Sequence, residues 1–553
     1  MKKLAALVMS LALLITPVFG TSAMADAEAV NINWYSDVSG WGPANWNGVE
    51  TSPLMDAIEE NYGVTLTIEQ PATDADTKLA LMIATDDLPD LISITDSDTI
   101  TQLIESGYVY TITEFLETYD PESHLLTDFP EDVKKAVVDA YGDFWFFPSH
   151  MDSVDHRETY PLCCEAYVNN VEYGTNTAIM FNTKIMEDLG LTQEDVQTQS
   201  AFMETLELVK NSGYTTADGN AIIPATMNAN LWIGGSLDGC MSNSFGVLPV
   251  DADGNYRHIE MNPGYKEVLK FANDMVRGGY MDLDILTLDE NALITMIDAG
   301  QVFCWFGNPA QTNLADANMT SYGPILSDTG AAPSVGINSS AGTGWIKTFV
   351  SKSCENPEAL AKTLSFATSE EGLWLNYYGV EGVDYTKQDD GTMVRTEEGL
   401  TRYNDNYNQN IWLWPFNDTD FFWCTTPGPE EQSDGANGSD MAYSIACSAM
   451  GRYETTYIYN SGLLTTVDSE PLDATSDLGI KYTQIENYLE SQKAKIVSAA
   501  TEEEFEQEYQ NMIDTLNSYD ITSVDAALNE YLQAAYAAND QTIENPNAEI
   551  YEN

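Results

Sequence analysis

Positive charge is the scarcest property of this sequence. Only 22 lysines and arginines stand against 87 aspartates and glutamates, giving a net charge of −65 over 553 residues. Such a field repels phosphate backbones and anionic bilayers, which argues against nucleic-acid binding and attachment to acidic lipid. It mildly favours neutral or cationic ligands over anionic ones, and its plainest role is solubility. Histidine is rarer still: His124, His150, His156 and His258 contain no His-Glu-x-x-His pair for a zinc hydrolase. No Gly-Lys dipeptide occurs, so a P-loop is excluded. The nearest approach to a nucleophile elbow, Gly234-Gly235-Ser236-Leu237-Asp238, lacks its closing glycine. The many carboxylates single out no pair for glycoside hydrolysis, because such a pair is defined by its separation in space. We therefore expect no enzyme, no catalytic residue, no metal and no cofactor.

The seven cysteines are too few and too scattered for a disulfide scaffold. Cys163 and Cys164 are adjacent and could bridge only through a strained ring. Cys240, Cys304, Cys354, Cys424 and Cys447 match no zinc spacing, so buried free thiols are expected. Long apolar runs are confined to the start. Lys2 and Lys3, the stretch Leu4 to Ile15 and the small-x-small site Ala23-Met24-Ala25 read as a secretory signal cleaved after Ala25. The first cysteine is Cys163, so no lipid-attachable cysteine follows that signal. The expectation is a secreted, cell-surface-associated protein held there by other means. What remains exceeds the ~250–300 residues that one core organises, so two lobes are expected.

Strand and helix alternate at the head of the chain. Val30 to Tyr35 reads as a strand, and Thr51 or Ser52 caps a helix with Pro53 in its first turn. Leu54, Ile58 and Tyr62 share its face and Gly63 ends it. Val64 to Ile68 is the next strand, a helix covers Thr77 to Ala84, and Leu88 to Ile94 forms a buried strand. Asp96 to Asp98 then cap a helix closed by Gly107. This alternation builds a parallel sheet that receives ligands at the carboxyl ends of its strands, where Asp37 and Asp96 fall. A second such unit begins near residue 176, with strand Ala178 to Phe181 and helix Thr183 to Leu189 closed by Gly190. Asp251-Ala252-Asp253-Gly254-Asn255 reads as a hairpin turn, its glycine being misplaced for a calcium loop. Asn356 and Pro357 start a late helix, and Thr501 with Glu504 forms a capping box. Thr522 with Asp525 is read as the start of a last helix.

Aromatic placement carries the functional reading. Sugar sites combine flat aromatic platforms with Asp, Asn, Glu or Arg hydrogen-bonding groups. Trp41 and Trp46 sit in Gly40-Trp41-Gly42-Pro43-Ala44-Asn45-Trp46-Asn47, directly after the first strand. Trp232 precedes Gly234-Gly235, Trp305 precedes Phe306-Gly307-Asn308, and Trp345 follows Gly342-Thr343-Gly344. Trp414 and Trp423 lie in a loop-like aromatic region with Trp412. Candidate ligand-binding residues are therefore Asp37, Trp41, Trp46, Asp96, Trp232, Trp305, Asn308, Trp345, Trp414 and Trp423. Asp96 has a competing role as a plain helix cap. Trp34 and Trp374 read as core.

Several stretches resemble one family. Lys78-Leu79-Ala80-Leu81-Met82-Ile83-Ala84 followed by Asp87-Leu88-Pro89-Asp90-Leu91-Ile92 is similar to a segment of extracellular solute-binding protein family 1, in its large Gram-positive, lipoprotein-like carbohydrate branch. Thr177 to Lys184, Asn356-Pro357-Glu358-Ala359, Tyr378-Gly379-Val380-Glu381-Gly382 with Tyr385, and Lys493 to Tyr536 resemble further segments, in the same order. The absent lipid-attachable cysteine is the main departure. The resemblance implies an α/β, two-lobed periplasmic-binding-protein-like fold of type II, with hinge-connected lobes and C-terminal helices. It implies lobe 1 from 26–175 plus about 306–350, lobe 2 from 176–305 plus about 351–500, and C-terminal helices over 501–553 packed on the lobes. It further implies a monomer that captures an oligosaccharide and docks on the transmembrane subunits of an ABC importer. The same fold binding a peptide or another polar solute, and a secreted carbohydrate-active enzyme, are the alternatives.

Overall fold

The computed structural model describes residues 30–37, 52–71, 75–85, 87–228, 232–284, 288, 290–338, 342, 344–389, 392–402, 418–425, 436–465, 467, 472–473 and 475–552. In chain order its strands are β1 (Val30–Ser36), β2 (Val64–Glu69), β3 (Leu91–Ile94), β4 (Phe147–Pro148), β5 (Ala178–Asn182), β6 (Ile223–Met227), β7 (Val302–Gly307), β8 (Met319–Ser321), β9 (Ser334–Ile337), β10 (Lys347–Val350), β11 (Tyr385–Lys387), β12 (Met393–Arg395) and β13 (Tyr457–Asn460).

The local signals of the first unit act as read. The Ser52 hydroxyl accepts the Met55 amide, Pro53 opens the helix Pro53–Tyr62, and Gly63 closes it at φ 63°. The Asp96 carboxylate accepts the Thr99 amide and caps Ser97–Ser106, which Gly107 ends. These helices are the crossovers that parallel strands require. β1 pairs parallel with both β2 and β3, while β10 pairs antiparallel with β3 and β4. The resulting sheet has the order β2-β1-β3-β10-β4. Trp34, Ile58, Ile92, Phe146 and Phe349 belong to its buried core, so Trp34 is core as expected.

The second sheet has the order β6-β7-β5-β8. Its core continues without a break into the C-terminal helices. Phe181, Phe271 and Phe306 share one cluster with Ile485, Met512, Leu528 and Leu532. The helices Glu502–Ser518 and Ile521–Asn539 thus pack into the second core.

Two elements join a core that lies far from them in sequence. β8 pairs with β5, so residues around 319–321 belong to the second sheet. The helix Pro357–Ala367 belongs to the first core, where Leu360 and Leu364 are buried and Phe366 meets Tyr62. Such pairings arise between residues far apart in sequence, and no local pattern announces them. One cap differs from the sequence reading. The helix after Tyr519 starts behind Asp520 in a left-handed conformation, and Asp525 instead accepts the His258 amide. A third, aromatic cluster gathers Tyr167, Tyr377, Tyr378, Phe421, Phe422 and Trp423, with Trp374 packed against it.

Candidate ligand-binding site

Topology fixes where the site can lie. β10 starts and β4 ends at the edge where β1 and β3 end, because Lys347 pairs with both Ile94 and Pro148. In the other lobe β5 starts where β7 ends, with Ala178 opposite Gly307, and β8 runs towards that same edge. The chain passes from β4 to β5, and returns from β8 through β9 to β10. Both crossings therefore join the carboxyl edge of one sheet to the carboxyl edge of the other. The Gly342 amide donates to the Asp152 carbonyl at 2.8 Å and ties the two crossings together.

In the first lobe the order β2-β1-β3 places a topological switch point between β1 and β3, the position at which open α/β sheets receive ligands. Asp37 stands there. Its amide donates to the Ser93 carbonyl at 3.1 Å, and its Oδ2 accepts the amide and hydroxyl of Thr95 at 2.8 and 3.1 Å. Asp96 follows as a cap, accepting the amide and hydroxyl of Thr99. Across β10, the Ser149 hydroxyl accepts the Ile346 amide, and His150 Nδ1 lies 2.9 Å from that hydroxyl. His150 holds φ at 49°, a left-handed backbone that is uncommon for a residue other than glycine. Burial, with the nearby Lys347 ammonium, lowers its imidazole to about 4, so it is neutral at physiological pH. Trp345 is 44% exposed, with its ring centre 6.3 Å from that of His150. Gly344 has φ 57°, and a Cβ there would stand 1.6 Å from the Ser149 carbonyl oxygen, so the approach of the two loops depends on glycine.

The corresponding edge of the second lobe is organised by Asn228, directly after β6. Its Oδ1 accepts the Trp305 indole N–H at 2.7 Å, and its Nδ2 donates to Glu290 at 2.9 Å and to Gln311. Gln311 also donates to Glu290. Gly307 leaves room for this contact, since a Cβ would sit 2.1 Å from Asn228 Oδ1. Asn308 caps the turn Pro309–Gln311 by accepting the Ala310 amide at 3.0 Å. Trp232 opens a π-helical turn, Trp232–Leu237, of the kind frequent at functional sites.

Two of the tryptophans singled out from the sequence are buried. Trp305 has 0% exposure, packs with Met180, Leu293 and Ile297, and supports Asn228 through its indole N–H. Trp423 is 8% exposed and stacks on Tyr167 at 5.0 Å, inside the aromatic cluster. Trp41, Trp46 and Trp414 lie outside the described residues. His150, Lys347, Asn228, Glu290 and Gln311 escaped the sequence reading. Only Lys347, two residues beyond Trp345, carried a signal that could have been followed.

Beside the first crossing lies a charged network. Arg157 pairs with Asp152 and, at 3.1 Å, with Asp420. His156 lies 3.4 Å from Asp418 and 3.7 Å from Asp420. Burial alone would lower His156, but the two carboxylates outweigh it and raise the imidazole to about 10. The network fastens the crossing to the helix Thr419–Cys424. Among the described residues no group of three or more His, Cys, Asp or Glu could hold a metal ion, and no helix is long and apolar enough to cross a membrane.

Two α/β lobes whose sheets turn their carboxyl edges to the same pair of crossings define the class of hinge-closing capture proteins. The chain belongs to the bacterial extracellular solute-binding protein family, whose sequence pattern matches residues 45–374. Among solved structures it is similar to the Streptococcus pneumoniae ABC-transporter substrate binding protein FusA, an EF-hand mutant in complex with fructo-nystose. That similarity has a TM-score of 0.62 at 15% identity and covers 92% of this chain and 100% of that one. An HMO-binding solute binding protein from Bifidobacterium longum infantis aligns with a TM-score of 0.56 at 15% identity, covering 92% and 99% of the two chains. The N-glycan transport solute binding protein of Streptococcus pneumoniae aligns at 0.56 and 15%, covering 93% and 100%. No curated protein sequence matches.

Proposed function

We propose that this protein is the extracellular binding component of an ABC importer, and that it captures an oligosaccharide between its lobes for delivery to the membrane subunits. The observation that carries the reading is the exposed Trp345 indole at the carboxyl edge of the first sheet, amid polar and imidazole groups. That combination offers a stacking face and hydrogen bonds to one sugar ring. Structural relatives solved with fructo-nystose, kestose and Man5GlcNAc support the ligand class. Asp37, Asp96 and Asn308 are the proposed polar contacts. On sequence grounds Trp41, Trp46, Trp232 and Trp414 are further contacts. Trp305 and Trp423 act from behind, by packing.

In this reading the protein is secreted through its N-terminal signal, works as a monomer and catalyses nothing. Ligand favours the closed form because only that form contacts it from both lobes. The test is thermal unfolding of the purified protein against mono- and oligosaccharides, with peptides as controls. A ligand at a hundredfold excess over its Kd stabilises by about 2.7 kcal/mol and raises the midpoint. A midpoint shift from one glycan family with no product formed is the expected result. A shift from peptides alone, or turnover of a glycan, overturns the reading.

A further inference from the structure

Lys347 is the first residue of β10, at the carboxyl edge of the first sheet and two residues from the exposed Trp345. Its ammonium is largely buried and donates to the Gly344 carbonyl, and no carboxylate lies within 4.0 Å of it among the described residues. In a chain with 87 acidic residues this is a conspicuous omission. Lys493, which is more deeply buried, follows the usual rule: Glu260 lies at 2.6 Å and Asp238 at 3.3 Å. A buried charge without a counter-charge costs stability, and burial accordingly lowers the Lys347 ammonium to about 8. His150 beside it bears a left-handed backbone, a second cost at the same place. Local costs of this kind persist where the surroundings are arranged for a ligand.

We infer that Lys347 is a specificity-determining residue that supplies the counter-charge for an anionic substituent, carboxylate or sulfate, on the captured saccharide, so that acidic oligosaccharides are preferred to neutral ones. The inference rests on the capture of a saccharide proposed above. Trp345 provides the stacking face and His150 a neutral hydrogen-bonding group beside the ammonium. The net charge of −65 does not oppose this at contact range. Exposed charges are screened beyond about 8 Å at physiological salt, whereas a buried ammonium acts on its partner almost unscreened. The distant field slows the approach of an anion, so association of an acidic ligand accelerates as salt rises.

The experiment is calorimetric titration of the full chain and of Lys347→Met and Lys347→Arg with pairs of saccharides, one acidic and one neutral. Sialyllactose is compared with lactose, trigalacturonate with its methyl ester, and a sulfated disaccharide with its desulfated form. The expected result is that the parent prefers the acidic member of a pair by about tenfold or more, the scale of one charge-assisted hydrogen bond. Lys347→Met brings that ratio to about one, and Lys347→Arg keeps it. The pair that responds separates carboxylate from sulfate. A parent that binds saccharides with no acidic preference, or a Lys347→Met variant that keeps the preference, overturns the inference and leaves saccharide capture standing. A parent that binds no saccharide overturns both. The unliganded Lys347→Met protein is expected to melt at or above the parent's midpoint. A clear fall would reveal a counter-charge within the fold and overturn the inference on its own.

Discussion

The rings of His150 and Trp345 stand 6.3 Å apart at an interplanar angle of 41°, one at the end of β4 and the other just before β10. Their residues are 195 positions apart in the chain, and the antiparallel pairing of Lys347 with Pro148 brings them to one edge. The indole is exposed, so little of the fold depends on it. Trp345→Ala is expected to shift unfolding free energy by no more than about 0.5 kcal/mol, as surface changes do. The same change should weaken oligosaccharide binding by about tenfold or more, the loss typical of a central aromatic contact. Urea unfolding and calorimetry on one preparation would check both.

Gly344→Ala addresses the support beneath that indole. A methyl group would collide with the Ser149 carbonyl, and the left-handed backbone adds about 1–3 kcal/mol of strain. We expect a lower urea midpoint together with weaker ligand binding, because the loop that carries Trp345 must move.

Trp305→Phe separates support from contact. The ring volume is largely kept, but Asn228 Oδ1 loses its indole donor in a buried setting. The expected cost is about 1–3 kcal/mol of stability. Binding should fall less than it does in Trp345→Ala, and the reverse order would restore Trp305 as a ligand platform.

Lys493→Met would leave Asp238 and Glu260 buried without their shared cation. Breaking such a pair costs about 3–5 kcal/mol, and the cost should appear as a lower denaturant midpoint. Adding Asp238→Asn and Glu260→Gln removes the stranded charges and should return part of the loss.

Three histidines set opposing pH limbs. His156 is raised to about 10 by Asp418 and Asp420 against the effect of burial. His258 is raised to about 9 by Asp525 and Glu486, again against burial. In both, the folded state binds the proton more tightly, so their stabilisation is full below about 6.5 and is lost as pH rises towards 9 and 10. His150 is lowered to about 4 by burial and Lys347, so the unfolded chain takes up the proton first. Its contribution is lost as pH falls from about 6.5 to 4. Thermal midpoints of His156→Gln should show a flattened alkaline limb, and those of His150→Gln a flattened acid limb.

Local punctuation was legible in the chain because it acts over three or four residues. Ser52, Pro53 and Gly63 bound a helix by bonds that close within one turn, as do Asn182 and Gly190. The turn at Asp251 to Asn255 likewise forms as read, with the Asp251 carboxylate accepting the Asp253 and Asn255 amides. The partial failures show the same boundary. Asn356 starts its helix but makes no side-chain cap bond, and the Glu504 carboxylate accepts the Ala500 amide in place of the Thr501 amide.

The sequence by itself determined the acidic balance, the alternation of strand and helix, the helix ends, and the aromatic stock from which a sugar site can be built. Each follows from composition or from contacts along a short stretch of backbone. Only the tertiary structure decided which edge those elements share. It assigned β8 to the second sheet, sealed Trp305 beneath Asn228, left Trp345 in the open and set the partly buried Lys347 with no carboxylate within 4.0 Å among the described residues. These outcomes depend on strands paired across well over a hundred residues, where burial and charge are set by neighbours that no local pattern names.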